Sequence, residues 1–354
     1  MMPRCHSTAQ ALTALLAIAP FAPSRAAAAP TAGVAASSYH LLDRFKVGGE
    51  GGWDYLTIDP QAQRLYFGRS TRVQILDSAS GKVLGEIPDT PGVHGIALAP
   101  DLHRGFTSNG RDSSVTIFDL RTLAPIARVH MEARGPDAIL YEPTTHRVFT
   151  FNGGSANATA IDAASGKVLG YVALEGRPEF AVADGRGRIF VNLEDSSAVV
   201  TLDPRKLTVL ARWPLAPGEE PSGLALDAAH HRLFSVCSNK RMVVLDSGTG
   251  RVVAIVPIGD GPDGSAFDPG TGLAFSSNGE GTLTVVHEDA PDRFTVVGDV
   301  PTEPRARTMA LDPVNHRVYL ATARFGEAPA PTAEHPHPRP PMIPDSFEIL
   351  VLGP

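Results

Sequence analysis

Gly92–Gly110, GVHGIALAPDLHRGFTSNG, decides the fold. It reads as a short apolar strand, a turn containing Pro100, a second strand, and an Asn-Gly stop at 109–110. The same pattern recurs at turn pairs Asp59-Pro60, Ala99-Pro100, Glu142-Pro143, Asp184-Gly185, Asp227-Ala228, Asp268-Pro269 and Asp312-Pro313, spaced by 40 to 44 residues. Each unit continues with a third strand, commonly closed by Asp (Val73–Asp77, Val115–Asp119, Ala158–Asp162, Val199–Asp203, Met242–Asp246), and then a fourth. The closing Asp suits a turn, because its carboxylate accepts from backbone N–H groups just downstream. Four strand-like runs per unit at a period in the low forties is the signature of an all-β, seven-bladed β-propeller.

The chain ends complement each other. The seventh unit supplies strands over Thr308–Asp312, Arg317–Thr322 and Phe347–Leu352, and then the sequence stops. An unpaired run, Tyr39–Val47 (YHLLDRFKV), precedes the first unit. This N-terminal strand is predicted to close the last blade and so remove the open edge of the ring.

Composition bounds the remainder. The chain has 354 residues, 43% of them hydrophobic, with 34 Gly and 31 Pro, which suits a large core with many turns. Residues 1–29 have the layout of a signal peptide: Arg4, an apolar stretch over Ala11–Ala22, then small residues to Ala29. The expected mature protein, residues 30–354, is a single propeller domain that is periplasmic or secreted, has no membrane span and is monomeric. Taking Arg4 and Arg25 from 31 Lys and Arg, and nothing from 38 Asp and Glu, moves the net charge from −7 to −9. No basic stripe is present, so no nucleic-acid partner is expected. Only Cys237 is left after cleavage, so the core must hold the fold without an internal disulfide.

Arg147–Asp162, RVFTFNGGSANATAID, resembles the bacterial YVTN repeat, in which an aromatic strand ends in Asn before a turn and an Asp-terminated strand. Arg104–Asn109 and Leu273–Asn278 are similar, although no unit spells the tetrapeptide itself. With the signal peptide, the resemblance is to the exported YncE-like seven-bladed propellers and spans nearly the whole chain. It implies the fold and the compartment. It implies no single reaction, since propellers of related type include lactonases, lyases, haem-binding domains and surface-layer proteins.

Five residues before each turn pair stand Asp54, His94, Asp137, Glu179, Ser222, Asp263 and Arg307. These positions open the innermost strands, so their side chains are expected to ring one mouth of the central channel. A turn residue would repeat one identity, whereas this register varies from blade to blade. Polar loop positions and Gly-Pro-Asp turns are the plain alternative. A second ring, from the loops after the second strands, supplies Arg69, Asn109, Asn152, Asn192, Cys237, Asn278 and Thr322. There the Asn-Gly pairs equally suit tight turns with positive φ.

The predicted mouth is acidic and would favour a cation, an amine or a hard divalent metal bound through carboxylates. No continuous metal loop, zinc helix, nucleophile elbow or covalent haem motif is present, so no cofactor is evident from motifs. Cys237 is either a reactive thiol or a small buried hydrophobe. The Pro- and His-rich insertion over 324–345 is a lid, a metal site through Glu334, His335 and His337, or a plain loop. Three functions follow. The mouth is a binding or scaffold surface for a small molecule or protein. Alternatively, it is a lactonase-like, metal-assisted hydrolase or lyase, with a divalent ion on some of Asp137, Glu179 and Asp263 and His94 as general base. The third reading is non-covalent haem binding through His94.

Overall fold

In the computed structural model the described residues are Met1 and 38–354, except 331, 333–337 and 339. The expected signal peptide, and the candidate metal ligands Glu334, His335 and His337, therefore lie outside the described residues. The strands assemble into seven antiparallel four-stranded sheets, each built from consecutive strands except the last. In that sheet His40–Lys46 pairs with Glu348–Gly353, as the chain-end count predicts. Among the described residues no helix is long and apolar enough to cross a membrane.

Burial follows position in the blade. The second strands are buried on both faces, as in Arg147–Asn152, whereas the fourth strands are mostly exposed, as in Pro125–His130. Neighbouring sheets pack face to face through apolar clusters, so each core lies between blades. The seam between blades 7 and 1 joins Phe45, Phe67, Tyr319, Phe347 and Val351. Phe45 lies against Gly81 in the blade 1 turn; a Cβ there would fall 2.3 Å from the ring, and its φ of +70° also favours glycine. Tyr39 packs against Phe275 of blade 6, with ring centroids 5.0 Å apart, and donates to the His316 carbonyl at 2.8 Å. The N-terminal strand therefore binds three blades.

The turns behave as the sequence indicates. Asp77, Asp119, Asp162, Asp203 and Asp246 each accept from backbone N–H groups two or three residues on. Hydrogen bonding to these N–H and hydroxyl groups holds the Asp77 and Asp162 carboxyls below their usual range. A second repeating device was not apparent from the sequence. The Arg that opens the second strand reaches the next blade's outer turn: Arg64 to the Leu120 carbonyl, Arg104 to Ala163, Arg147 to Pro204 and Arg188 to Ser247. These guanidinium staples tie blades together on the face opposite the mouth. Blade 6 departs from the repeat: its third strand, predicted over Thr282–Val286, runs on to Ala290 and pairs with Arg293–Pro301.

Candidate functional site at the channel mouth

Each innermost strand of blades 2 to 6 breaks register where the sequence places a site residue. In Val93–Ala99, Val93 pairs with Asn109 and Ile96 with Thr107, so His94 and Gly95 oppose Ser108 alone. The same irregularity falls at Asp137, Glu179, Ser222 and Asp263. A bulge of this kind twists the strand and re-aims a side chain. Here it turns the first bulged residue towards the channel mouth. Gly223, the second bulged residue of blade 5, lets strands 5 and 6 approach closely; a Cβ there would lie 2.6 Å from the Asp263 carbonyl.

The bulges bring three of the predicted residues into one cluster. His94 Nδ1 donates to Asp54 Oδ2 at 2.6 Å and lies 3.6 Å from Asp137 Oδ1. The ligand-capable atoms of Asp54, His94 and Asp137 all fall within 4.8 Å of one another. Asp137 Oδ1 is buried and has no hydrogen-bond partner. The hydrogen bond to Asp54 raises the His94 pKa against the lowering effect of burial. Burial, and then the Asp54 charge, pushes Asp137 up to about 6. Glu179 is pushed up to about 8 by burial and by the charges of Asp137 and Glu194. Burial likewise raises Asp263 to about 6, with Arg307 Nε, 3.7 Å away, pulling the other way. The ring is therefore acidic, and burial shifts its Asp137, Glu179 and Asp263 carboxyls upward, Glu179 furthest.

Beside this cluster opens a cavity of about 610 Å³ lined by Trp53, Asp54, Arg305, Arg307, Phe325 and Met342, among others. The base of the Pro-rich insertion forms one wall. Phe325 pairs with Met342, its ring lies 6.1 Å from Trp53, and the Arg305 guanidinium sits 4.3 Å above it. The described part of the insertion thus borders the mouth. The site accordingly has a carboxylate–imidazole half and an arginine–aromatic half.

The second ring does not face the mouth. Asn109, Asn152 and Asn278 are fully buried. Asn109 accepts from Thr107 Oγ1 and donates to Ser114 and Thr116, a pattern repeated by Asn152 with Thr150, Asn157 and Thr159 and by Asn278 with Ser276, Thr282 and Thr284. These amides lock the second strand to the third, because a buried amide must find partners. The tight-turn reading of Asn-Gly is also corrected. Positive φ falls later, at Ser113, Ala156 and Gly281, so the loops are longer than two residues. Asn192 is buried too and donates across the seam to the Ser222 and Gly223 carbonyls. Ser222 donates to the Pro262 carbonyl at 3.1 Å. Cys237 is fully buried, and burial pushes its thiol up to about 12, so the hydrophobe reading holds.

Two readings of His94 also change. At the mouth the metal-capable set is Asp54, His94 and Asp137, so of the expected carboxylates Asp137 belongs to it, and His94 is placed as a ligand rather than as a base beside the ion. His94 Nε2 lies against Gly110, where a Cβ would be only 2.7 Å away, which crowds the side a haem iron would need. Tyr55 was missed: its hydroxyl donates to the Glu179 carbonyl at 3.1 Å, its ring lies 5.4 Å from Phe180, and burial raises its pKa well above the usual value. It occupies the register that is Gly95, Ala138, Gly223 and Gly264 in four other blades and Phe180 in blade 4, so an aromatic there, matched only by the Phe180 it packs against, was the available signal.

No protein-family model matches the chain, and no curated protein sequence matches it. Solved structures do. The chain is similar to Kuenenia stuttgartiensis hydrazine synthase, with TM-score 0.66 and 16% identity over 77% of this chain and 93% of that one. It is similar to the WD40 repeats of RRP9, with TM-score 0.73 and 12% identity over 90% and 99% of the two chains. It is also similar to U3-55K, with TM-score 0.72 and 11% identity over 88% and 98%. At these identities the likeness extends to architecture alone: the chain is a seven-bladed β-propeller.

Proposed function

We propose that this propeller is a binding protein whose channel mouth takes a divalent cation on Asp54, His94 and Asp137, with a small organic anion in the adjoining cavity. The observation that carries this reading is Asp137 Oδ1, a buried carboxylate oxygen with no hydrogen-bond donor, beside the Asp54–His94 pair. A buried carboxylate without a partner is costly, and a cation removes that cost. Arg305 and Arg307 supply donors for an anionic group, and Trp53 and Phe325 supply an apolar surface. The YVTN-like strand pattern and the N-terminal segment support an exported protein of the YncE-like type.

Calorimetric titration of the metal-free protein with calcium, magnesium and manganese tests this. One equivalent of at least one ion is expected to bind, and Asp137→Asn should weaken it by at least roughly 10-fold. The variant should still fold, since it removes a strained charge. Failure of all three ions to bind, or unchanged affinity in the variant, would overturn the cation reading.

One observation favours a hydrolase or lyase at the same place. Glu179, raised to about 8, is a carboxylic acid that stays protonated near neutral pH beside the candidate cation site, which suits a general acid. That reading requires ester or lactone turnover that Glu179→Gln removes while cation affinity persists.

A further inference from the structure

Blade 6 differs from the other blades on the face opposite the mouth. The residue after the third-strand closing position is Ser78, Leu120, Ala163, Pro204 and Ser247 in blades 1 to 5, and it is small or apolar in each. In blade 6 it is Glu288, with a side chain only 3% exposed. Neither of its carboxylate oxygens has a hydrogen-bond partner. Its backbone N–H still bonds to the Gly272 carbonyl, as the repeat requires, so the strand has not slipped. The extended hairpin of blade 6 also moves the interblade staple: Arg232 reaches the Pro291 carbonyl.

Glu288 faces the first turn of blade 5. There Asp227 caps the turn by accepting from the Ala229 and His230 N–H groups, as its counterparts do in other blades. Three residues after the first member of the turn pair the other blades carry Ala62, Leu102, Thr145, Gly187, Thr271 and Asn315; only blade 5 carries a histidine. His230 Nδ1 lies 2.6 Å from Asp227 Oδ2 and 3.4 Å from Glu288 Oε1. One atom from each of the three residues falls within 4.8 Å of the others.

We infer that Asp227, His230 and Glu288 form a second cation site that bridges blades 5 and 6 and takes a divalent transition-metal ion such as zinc. The donor set is one imidazole and two carboxylates, which suits such an ion, with water completing the coordination. Bonds of about 2.0–2.2 Å would let one ion reach all three groups. The Nδ1 proton that now lies between His230 and Asp227 leaves to solvent when the ion binds. Without an ion, the two buried carboxylates face each other with only that proton to separate them. Turn capping alone accounts for Asp227, since an acid does the same in most blades, but it gives no role to Glu288 or His230.

The test is zinc titration of tag-free full-length protein carrying Asp137→Asn, which weakens the mouth site, followed by the same titration with Glu288→Gln added. One equivalent of zinc should bind to the first protein, and Glu288→Gln should weaken it by at least about 10-fold. Melting in chelator should be unchanged or higher in the Glu288→Gln protein, which shows that it folds. His230→Ala should repeat the loss of zinc. Absence of binding in the Asp137→Asn protein, or an affinity indifferent to both changes, overturns the proposal and points to a proton shared by Asp227 and Glu288. Because both titrations carry the same weakened mouth, the difference between them reports on the blade 5–6 site and not on the cation proposed at the mouth.

Discussion

A chain lacking residues 1–47 should melt roughly 10 °C or more below one lacking only residues 1–29, or fail to accumulate folded. The loss has three parts. The outer strand His40–Lys46 goes, leaving Glu348–Gly353 as an unpaired edge. Phe45 and Tyr39, at 6% and 5% exposure, leave their seams, at about 1.5–3 kcal/mol each for fully buried side chains. Arg69 then loses part of its shell. It is fully buried, stacks 4.0 Å above Phe347, and donates to the carbonyls of Gly48, Gly49, Glu50 and Gly51. Those carbonyls follow directly on the deleted strand, and without it they are left with the bonds of the Gly48, Gly49 and Gly52 N–H groups to Phe347, Asp345 and Ser70. Differential scanning calorimetry makes the comparison, and equal melting of the two chains would show that the ring is held without its closing strand. Phe45→Ala is the milder control: a cavity of that kind costs about 3–5 kcal/mol and leaves the ladder in place.

The closing strand was legible because it is a matter of counting: three strands remained at one end and one at the other. The mouth register was legible for the same reason. Seven positions in phase must lie on one ring, and Asp54, His94 and Asp137 stand out by varying where the repeat should not. What phase alone could not show is which of them meet. Asp54 and His94 are 40 positions apart, and their contact depends on a bulge that only the pairing of Val93 with Asn109 and Ile96 with Thr107 reveals. The Asn ring misled because polar residues at strand ends usually face solvent. Here the blades are thick enough to bury those amides, and neighbouring Thr and Ser hydroxyls satisfy them. Glu288 escaped for another reason. In sequence it is one more acid near a turn, and only its burial against blade 5 makes it unusual.

These exceptions share one physical logic. Seven near-identical blades pack well with small or apolar residues at their contact registers, so a charged residue in such a register costs stability. Glu179, Asp137 and Glu288 carry that cost, with oxygens lacking hydrogen-bond partners at all three. Residues that hold the ring together look different. The Arg staples and the turn Asp residues are fully partnered and repeat from blade to blade. Departure from the repeat together with an unpartnered buried oxygen separates candidate sites from scaffold more sharply than either property alone.

Glu179→Gln should therefore stabilise the metal-free protein, and the gain should grow with pH. The ordinary glutamate value is 4.5, and the folded value is about 8. Between them the folded chain holds a proton that the unfolded chain has released, so wild-type stability falls as pH rises across that window. Each pH unit of the window is worth about 1.4 kcal/mol at most, so the full difference is a few kcal/mol. Glutamine keeps the shape and does not titrate, so the variant should match wild type near pH 4.5 and lead it above pH 8. The groups that face Glu179 are Asp137, Glu194, Arg177 and Asp263, and all are kept in the variant. Melting temperatures of the two proteins in chelator at about pH 5 and about pH 8.5 give the comparison. A constant difference, or a wild type that gains on the variant as pH rises, would mean that Glu179 is ionised and held by Arg177, whose Nη2 lies 3.9 Å from Glu179 Oε2. Adding a cation that occupies the Asp54–His94–Asp137 cluster should narrow the high-pH gap, because a positive charge beside Glu179 makes its ionised form less costly.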